Sequence, residues 1–417
     1  MTMNMTPGRH EPVDTRRGKP ALSATVVSGL PLWLGLVSVF AVGVELRPAI
    51  ASIGPLLPSL SEAFDISGTQ VAVLTAIPPF LMGVLALPSP WLAQRFGRNP
   101  VIIAAILLVT LATAARALIE TSLMLFVTTS AVGAGIAVAG ALIGGFVKSN
   151  FPQRVTLFMG LYAMSLGLGA TLSAALTGPL ASLADTWRVG AGVWVVPGLS
   201  AIAAWIIVSR REPARPVSAG PARRARLPLA NPAAWRIAIY FAANNILFFG
   251  VLVWLVTLII ERGHDAATAG LALTTYTIAF MIANPLPGLF GHKGDRRIHI
   301  GLAALFILSG VLGLLLVPGA PPCAFVALLA LGVGSSFTLG MTLPLVHTSD
   351  SEEATAWNAF VLAFGYGVGA LGPLMVGLLH DRSGDMQLPL WMLAGVTLVM
   401  VLLAPFLGGA DKLRSAR

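Results

Sequence analysis

One cysteine, Cys323, is the whole thiol content of this 417-residue chain, so it forms no internal disulfide and builds no metal site from several cysteines. Charge is scarce as well. Charged residues make up 10% of positions, against roughly 25% in soluble domains, too few to cover an ordinary water-facing surface. There is no P-loop, no His-Glu-x-x-His pair and no nucleophile elbow, and Gly133-Ala134-Gly135 lacks the third glycine of a dinucleotide fingerprint. These gaps argue against an enzyme, a nucleotide-driven pump, and a resident cofactor or metal.

What the chain has is apolar length. Hydrophobic residues account for 56%, and the apolar runs are mostly ~20 residues or longer, the length of a helix that spans hydrocarbon. The runs show no period-2 alternation, and an open sheet edge cannot be satisfied in lipid. An all-α membrane protein follows. Twelve spans are predicted near residues 31–59, 69–93, 99–119, 122–147, 155–182, 188–208, 235–260, 268–290, 298–317, 321–346, 354–379 and 388–409. Of the 26 Lys and Arg residues, twenty-one flank one set of loops, only Arg116, Arg188, Arg262 and Arg382 flank the other, and Arg47 remains. The positive-inside rule then puts both termini in the cytoplasm, with the protein multi-pass in the cytoplasmic (inner) membrane. The net charge of +9 is topogenic on this reading, and no nucleic-acid partner is implied. An acidic stretch around Asp350, Glu352 and Glu353 falls on the basic side, but acidic residues weigh little in orientation.

Residues 1–30 and 410–417 read as cytoplasmic tails. Residues 209–234 read as a basic cytoplasmic linker, carrying Glu212-Pro213, Arg215-Pro216, Gly220-Pro221 and Arg223-Arg224-Ala225-Arg226. The linker separates a bundle of six spans, 31–208, from a second of six, 235–409. Internal matches support the division. Pro88-Ser89-Pro90 with Gly97-Arg98 recurs as Pro285-Leu286-Pro287 with Gly294-Asp295-Arg296 at an offset of 197. Gly133-Ala134-Gly135 with Val147-Lys148 recurs as Gly332-Val333-Gly334 with Val346-His347 at 199, and Gly167-Leu168-Gly169-Ala170 as Gly367-Val368-Gly369-Ala370 at 200. Three matches in order at nearly one offset indicate duplicated halves in parallel orientation.

Arg47, in Glu45-Leu46-Arg47-Pro48-Ala49, lies farther from the end of an apolar segment than any other basic residue. A charge at the bilayer centre costs at least ~3 kcal/mol, so such residues face a partner or a wet cavity. Pro48 cannot donate to the carbonyl of Val44, which loosens the helix beside the charge. Two readings stay open for Arg47: a ligand site, or an internal ion pair that fixes packing. Glu45, the one carboxylate deep in a span, is two residues away and points to another face of a regular helix. It is the proton-coupling candidate, with a hydrogen-bonded carboxyl that never cycles as the alternative. Arg116 is expected to pair with Glu120, four residues on, and to snorkel to the interface. Lys148 and Arg154 are expected to mark span ends. Gly140 with Gly144, and Gly365 with Gly369, are spaced for close helix contact.

The segment Leu92-Ala93-Gln94-Arg95-Phe96-Gly97-Arg98 between spans two and three, in a chain of two six-span halves, resembles the loop signature of the major facilitator superfamily. Gln94 stands where that family usually has Asp, and Asn99 where it often has a second basic residue. Within it, Glu45-Leu46-Arg47-Pro48-Ala49-Ile50-Ala51-Ser52-Ile53-Gly54-Pro55-Leu56-Leu57 resembles the Asn-Leu-Arg-Pro segment of the cyanate and nitroimidazole transporter branch, with Glu45 replacing the usual Asn. Ala115-Arg116-Ala117-Leu118, the run from Val147 to Arg154, Gly160-Leu161-Tyr162 and Thr186-Trp187-Arg188 extend the likeness.

The resemblance implies the major facilitator fold, action as a monomer, and gradient-driven transport by alternating access. Spans one, four, seven and ten would line a central cavity, and Arg95, Gly97 and Arg98 would form a conformational loop. Arg47 then faces the cavity, opposite its pseudo-equivalent Asn244 and the neighbouring Asn245. Tyr162, Tyr276, Trp357, Asn358 and Tyr366 are candidates to complete the lining, with packing as the alternative for each. A guanidinium fork suits a small anion or a nitro group, cyanate-like or nitroimidazole-like, with protons as the candidate coupling ion. A multidrug or toxic-compound exporter of the same superfamily is the alternative, and a non-transporting membrane sensor a more distant one.

Overall fold

The structure, a computed structural model, describes residues 30–66, 68–212, 226–290, 296–317 and 319–408. The tails, Lys293 and the 213–225 part of the linker lie outside these. Among the described residues every regular element is a helix. The first crossing is built from α1 (Leu32–Glu45), α2 (Pro48–Ala51) and α3 (Ile53–Phe64), and the second from α4 (Gly68–Val84) and α5 (Ser89–Phe96). Then follow α6 (Arg98–Arg116), α7 (Ser122–Asn150), α8 (Val155–Leu183), and α9 (Trp187–Gly192) with α10 (Val195–Arg211). The second bundle comprises α11 (Pro232–Glu261), α12 (Ala266–Ala283) with α13 (Leu286–Phe290), and α14 (Arg296–Leu316). It ends with α15 (Pro322–Val346), α16 (Ser351–Gly369) with α17 (Leu371–Ser383), and α18 (Gln387–Leu407).

Eleven stretches among the described residues are long and apolar enough to cross a membrane, and twelve when α4 and α5, bent by 61°, count as one. Side chains set several starts. Asp350 accepts from the backbone N–H groups of Glu352 and Glu353, Asp265 from Thr268, and Thr121 from Met124. Leu107, Leu111, Leu302, Phe306, Leu402 and Phe406 project outward, as a lipid-facing belt requires. The fold is therefore two six-helix bundles in a bilayer-spanning, all-α architecture.

The bundles meet where α4, α5, α7 and α8 touch α12, α13, α15 and α16. The contacts gather toward the end that carries the basic residues. Gly145 lies against Thr355 and Ser351, Gly83 against Ala363, and Gly160 against Asn284. Lys148 on α7 crosses to the carbonyls of Leu345 and Thr348, at 2.7 and 3.1 Å, at the C-terminal end of α15. Sequence reasoning took Lys148 as a span-end marker; it also fastens one bundle to the other, with the negative end of a helix dipole as its partner.

Candidate functional site

The first crossing is not one helix. Pro48 has no N–H for the Val44 carbonyl, and α1 stops at Glu45, three residues before it. A one-turn helix follows, and a second break falls at Ser52. The freed backbone is held from neighbouring helices. Gly169 on α8 lies so close that an added Cβ would sit 2.3 Å from the Val44 carbonyl oxygen, and Ser173 donates to the Pro48 carbonyl at 3.0 Å. Only glycine permits the first approach.

The break sends two neighbouring charges opposite ways. Arg47 lines a cavity between the bundles with Met82, Ile136, Gly140, Tyr162 and Tyr366 among its neighbours. Tyr162 on α8 and Tyr366 on α16 bring one tyrosine from each bundle to the same cavity. Gly140 leaves the room that the Tyr162 hydroxyl occupies. No carboxylate pairs with Arg47 among the described residues, so the internal ion pair is not formed. The cavity is narrow, with about 330 Å³ of empty space. Glu45 faces away, 1% exposed, with Oε1 accepting from Thr110 on α6 at 3.3 Å and Oε2 without a partner.

The other predicted site residues divide. Arg47, Tyr162 and Tyr366 come together, while Asn244, Asn245, Tyr276, Trp357 and Asn358 are not in the cavity wall. Span seven, expected to line the cavity, contributes no residue to its wall. Phe241 packs on Tyr366 and Phe337, with ring centroids 5.9 and 5.4 Å away, and fills the space in front of α11. Asn245 donates to the Phe241 carbonyl and is pressed by Gly369; Asn244 is fully buried with both amide atoms unpartnered. Tyr276 donates to the Phe248 carbonyl at 3.3 Å, and Trp357 belongs to the core. Asn358 crosses to the Ala141 carbonyl at 3.0 Å and so joins the two bundles. The lining residues Met82, Ile136, Leu166, Met341 and Leu362 carried no polar signal that sequence could have used.

Arg116 corrects an expectation. It does not pair with Glu120, which is exposed; it is 1% exposed and donates to the Ala49 carbonyl and, at 3.1 Å, to Thr129 Oγ1. The kink in the first crossing offers a carbonyl that a regular helix would have used itself, and the guanidinium turns inward to it.

At the basic end, Gly97 begins α6 with φ +87°, a conformation that favours glycine. Arg95 lies over the Trp91 and Phe96 rings. Arg98 pairs with Glu212 and donates to Ser149 at 2.8 Å and the Gly145 carbonyl at 3.2 Å. Asn99 and Asn150 also donate to Glu212. Burial opposes ionisation of Glu212, but the Arg98 charge and these amides hold its carboxyl below the usual carboxylate range.

Two bundles, a kinked first crossing and a small cavity between them describe a membrane carrier rather than an enzyme. The family model described as Major Facilitator Superfamily matches residues 32–345 and 261–416, and the chain belongs to that family. Its relatives include the cyanate transport protein CynX of Escherichia coli (strain K12), 31% identical over 82% of this chain and 89% of that protein. The 2-nitroimidazole transporter of the same organism is 27% identical over 93% of this chain and 98% of its own. Among solved structures, the superfamily transporter FucP in the outward conformation superposes with a TM-score of 0.70 at 16% identity, covering 90% of this chain and 98% of FucP, a likeness of fold alone.

Proposed function

We propose that this chain is a secondary transporter of a small flat anion or small polar organic solute, cyanate-like or nitroimidazole-like, bound at Arg47. The observation that carries the reading is a guanidinium with no carboxylate partner among the described residues, in a narrow cavity that it shares with two tyrosines. A guanidinium fork can hold two oxygens or a nitro group at once, and tyrosine faces hold flat molecules. The transport activities printed for the cyanate and nitroimidazole relatives support the same class. The bundles 31–208 and 235–409 rock about the site, acting as a monomer. By the positive-inside rule the basic end is cytoplasmic, so the contacts through Lys148 and Asn358 seal that side. Gln94 stands in the loop of Arg95, Gly97 and Arg98, and Glu212 supplies the carboxylate that fixes Arg98 there.

Glu45 carries the coupling proton from behind the site. Its carboxyl has one partner and one bare oxygen, and it ends α1 two residues before the arginine, so loading of either group bears on the same kink. Proteoliposome flux tests both steps. Labelled cyanate or 2-nitroimidazole is expected to exchange across wild-type vesicles and to stop in Arg47→Ala; unchanged exchange in that variant removes Arg47 from the site. A pH gradient is expected to drive accumulation in wild type, while Glu45→Gln and Glu45→Asn keep downhill exchange only. Accumulation that still follows the gradient in the Asn variant makes Glu45 a structural hydrogen-bonding group.

A further inference from the structure

A second buried cation is tied to the backbone two residues beyond the first and takes no part in the proposed contact with solute. Arg116 ends α6, is 1% exposed, and leaves its Nε without a partner. Its other two nitrogens reach only neutral oxygens, the Ala49 carbonyl and Thr129 Oγ1. No carboxylate forms an ion pair with it among the described residues. The nearest acid in sequence, Glu120, is exposed, and Glu45, the buried acid beside α6, is engaged with Thr110. A guanidinium buried without a counter-ion is expensive, and a fully neutral side chain could have propped the same carbonyl at less cost.

Its anchor explains the expense. Ala49 lies two residues beyond Arg47, in the single turn of α2 between the two breaks. Two further groups hold the broken stretch, Gly169 against the Val44 carbonyl near the end of α1 and Ser173 on the Pro48 carbonyl. Both are neutral. Arg116 alone brings charge to it, and low-dielectric surroundings let that charge act over a longer range than water would.

We propose that Arg116 is a positioning residue of the Arg47 site, holding the turn that aims Arg47 into the cavity and adding an uncompensated positive charge behind it. Arg47 touches the solute; Arg116 makes the region favourable for a negative one. The inference rests on the anion reading of the site given above.

The test compares affinities of the purified full-length protein for nitrate and cyanate, and for neutral 1-methyl-2-nitroimidazole, by thermal-shift titration. Arg116→Gln is expected to weaken nitrate and cyanate at least tenfold while the neutral compound stays within threefold. Arg116→Lys is expected to recover most of the anion affinity, unlike Arg47→Lys. Parallel loss of anion and neutral binding without recovery by lysine makes Arg116 a structural prop only and overturns the charge. Unchanged binding of both in Arg116→Gln overturns the proposal altogether. Should the Gln variant fail to insert, the Lys variant decides, because a retained anion preference supports the charge and an equal loss of both ligands refutes it. Wild-type protein that binds the neutral compound and neither anion overturns the anion reading, and this inference with it.

Discussion

The first and seventh spans occupy the same place in the two bundles, yet one is broken twice and the other runs as a single helix from Pro232 to Glu261. At the repeat offset of 197, Pro48 corresponds to Asn245, Arg47 to Asn244, and Val44 to Phe241. Pro48 leaves the Val44 carbonyl without a helical donor, whereas Asn245 keeps its backbone N–H and adds its side-chain amide to the Phe241 carbonyl at 2.8 Å. Each segment is then met by the matching glycine, Gly169 on Val44 and Gly369 on Asn245. One imino acid thus separates an opened helix that presents a charge from a closed helix that presents packing. The duplication supplied two equivalent places, and only the first turns a charged side chain to the cavity.

The largest effect is expected from changing the chemistry at Arg47. Arg47→Lys is expected to lower transport kcat/KM by at least ~100-fold, nearly as far as Arg47→Ala, because an ammonium cannot reproduce the fork. Both variants should remain inserted. Wild-type flux with lysine would mean that charge alone matters. Pro48→Ala addresses the kink itself: it restores a donor for Val44, so thermal stability is expected to rise while transport falls by about tenfold. Unaltered flux would show that the break is incidental to the site.

On the other side of the comparison, Asn244→Leu removes a buried amide with no partner. The substitution is expected to leave KM within about twofold and to stabilise the protein by up to ~1 kcal/mol in a thermal melt. A large rise in KM would return Asn244 to the ligand's surroundings. The smallest effect concerns Glu212 at the sealed end. Its folded carboxyl titrates below the ordinary range, so its contribution is present at neutral pH and disappears as pH falls through that lowered value. The stability gap between wild type and Glu212→Gln should therefore hold from neutral pH down to about 4.3, the unfolded carboxylate's midpoint, and close only below it. A gap that closes well above that point would mean the Arg98 cluster does not depress the carboxyl.

Much of the molecule was legible in sequence because hydrocarbon imposes coarse, local demands. Span length, apolar content and the cost of a buried charge are properties of a segment, and they marked the twelve crossings, the duplicated halves and Arg47 without reference to contacts. Periodicity also put Glu45 and Arg47 on different faces, and they stand apart, Glu45 toward Thr110 and Arg47 toward the cavity. What the residues meet across the bundle is another matter. Phe241 before α11, Arg116 turned to the Ala49 carbonyl, Asn358 on Ala141 and Lys148 on the end of α15 all depend on where helices far apart in sequence happen to touch. Sequence by itself determined that this chain crosses a membrane as duplicated helices with one costly arginine. Only the tertiary structure decided which neighbours share its cavity, because they come from helices far apart in the chain, and a backbone carbonyl left open at a helix break is claimed by whatever donor packing brings within reach.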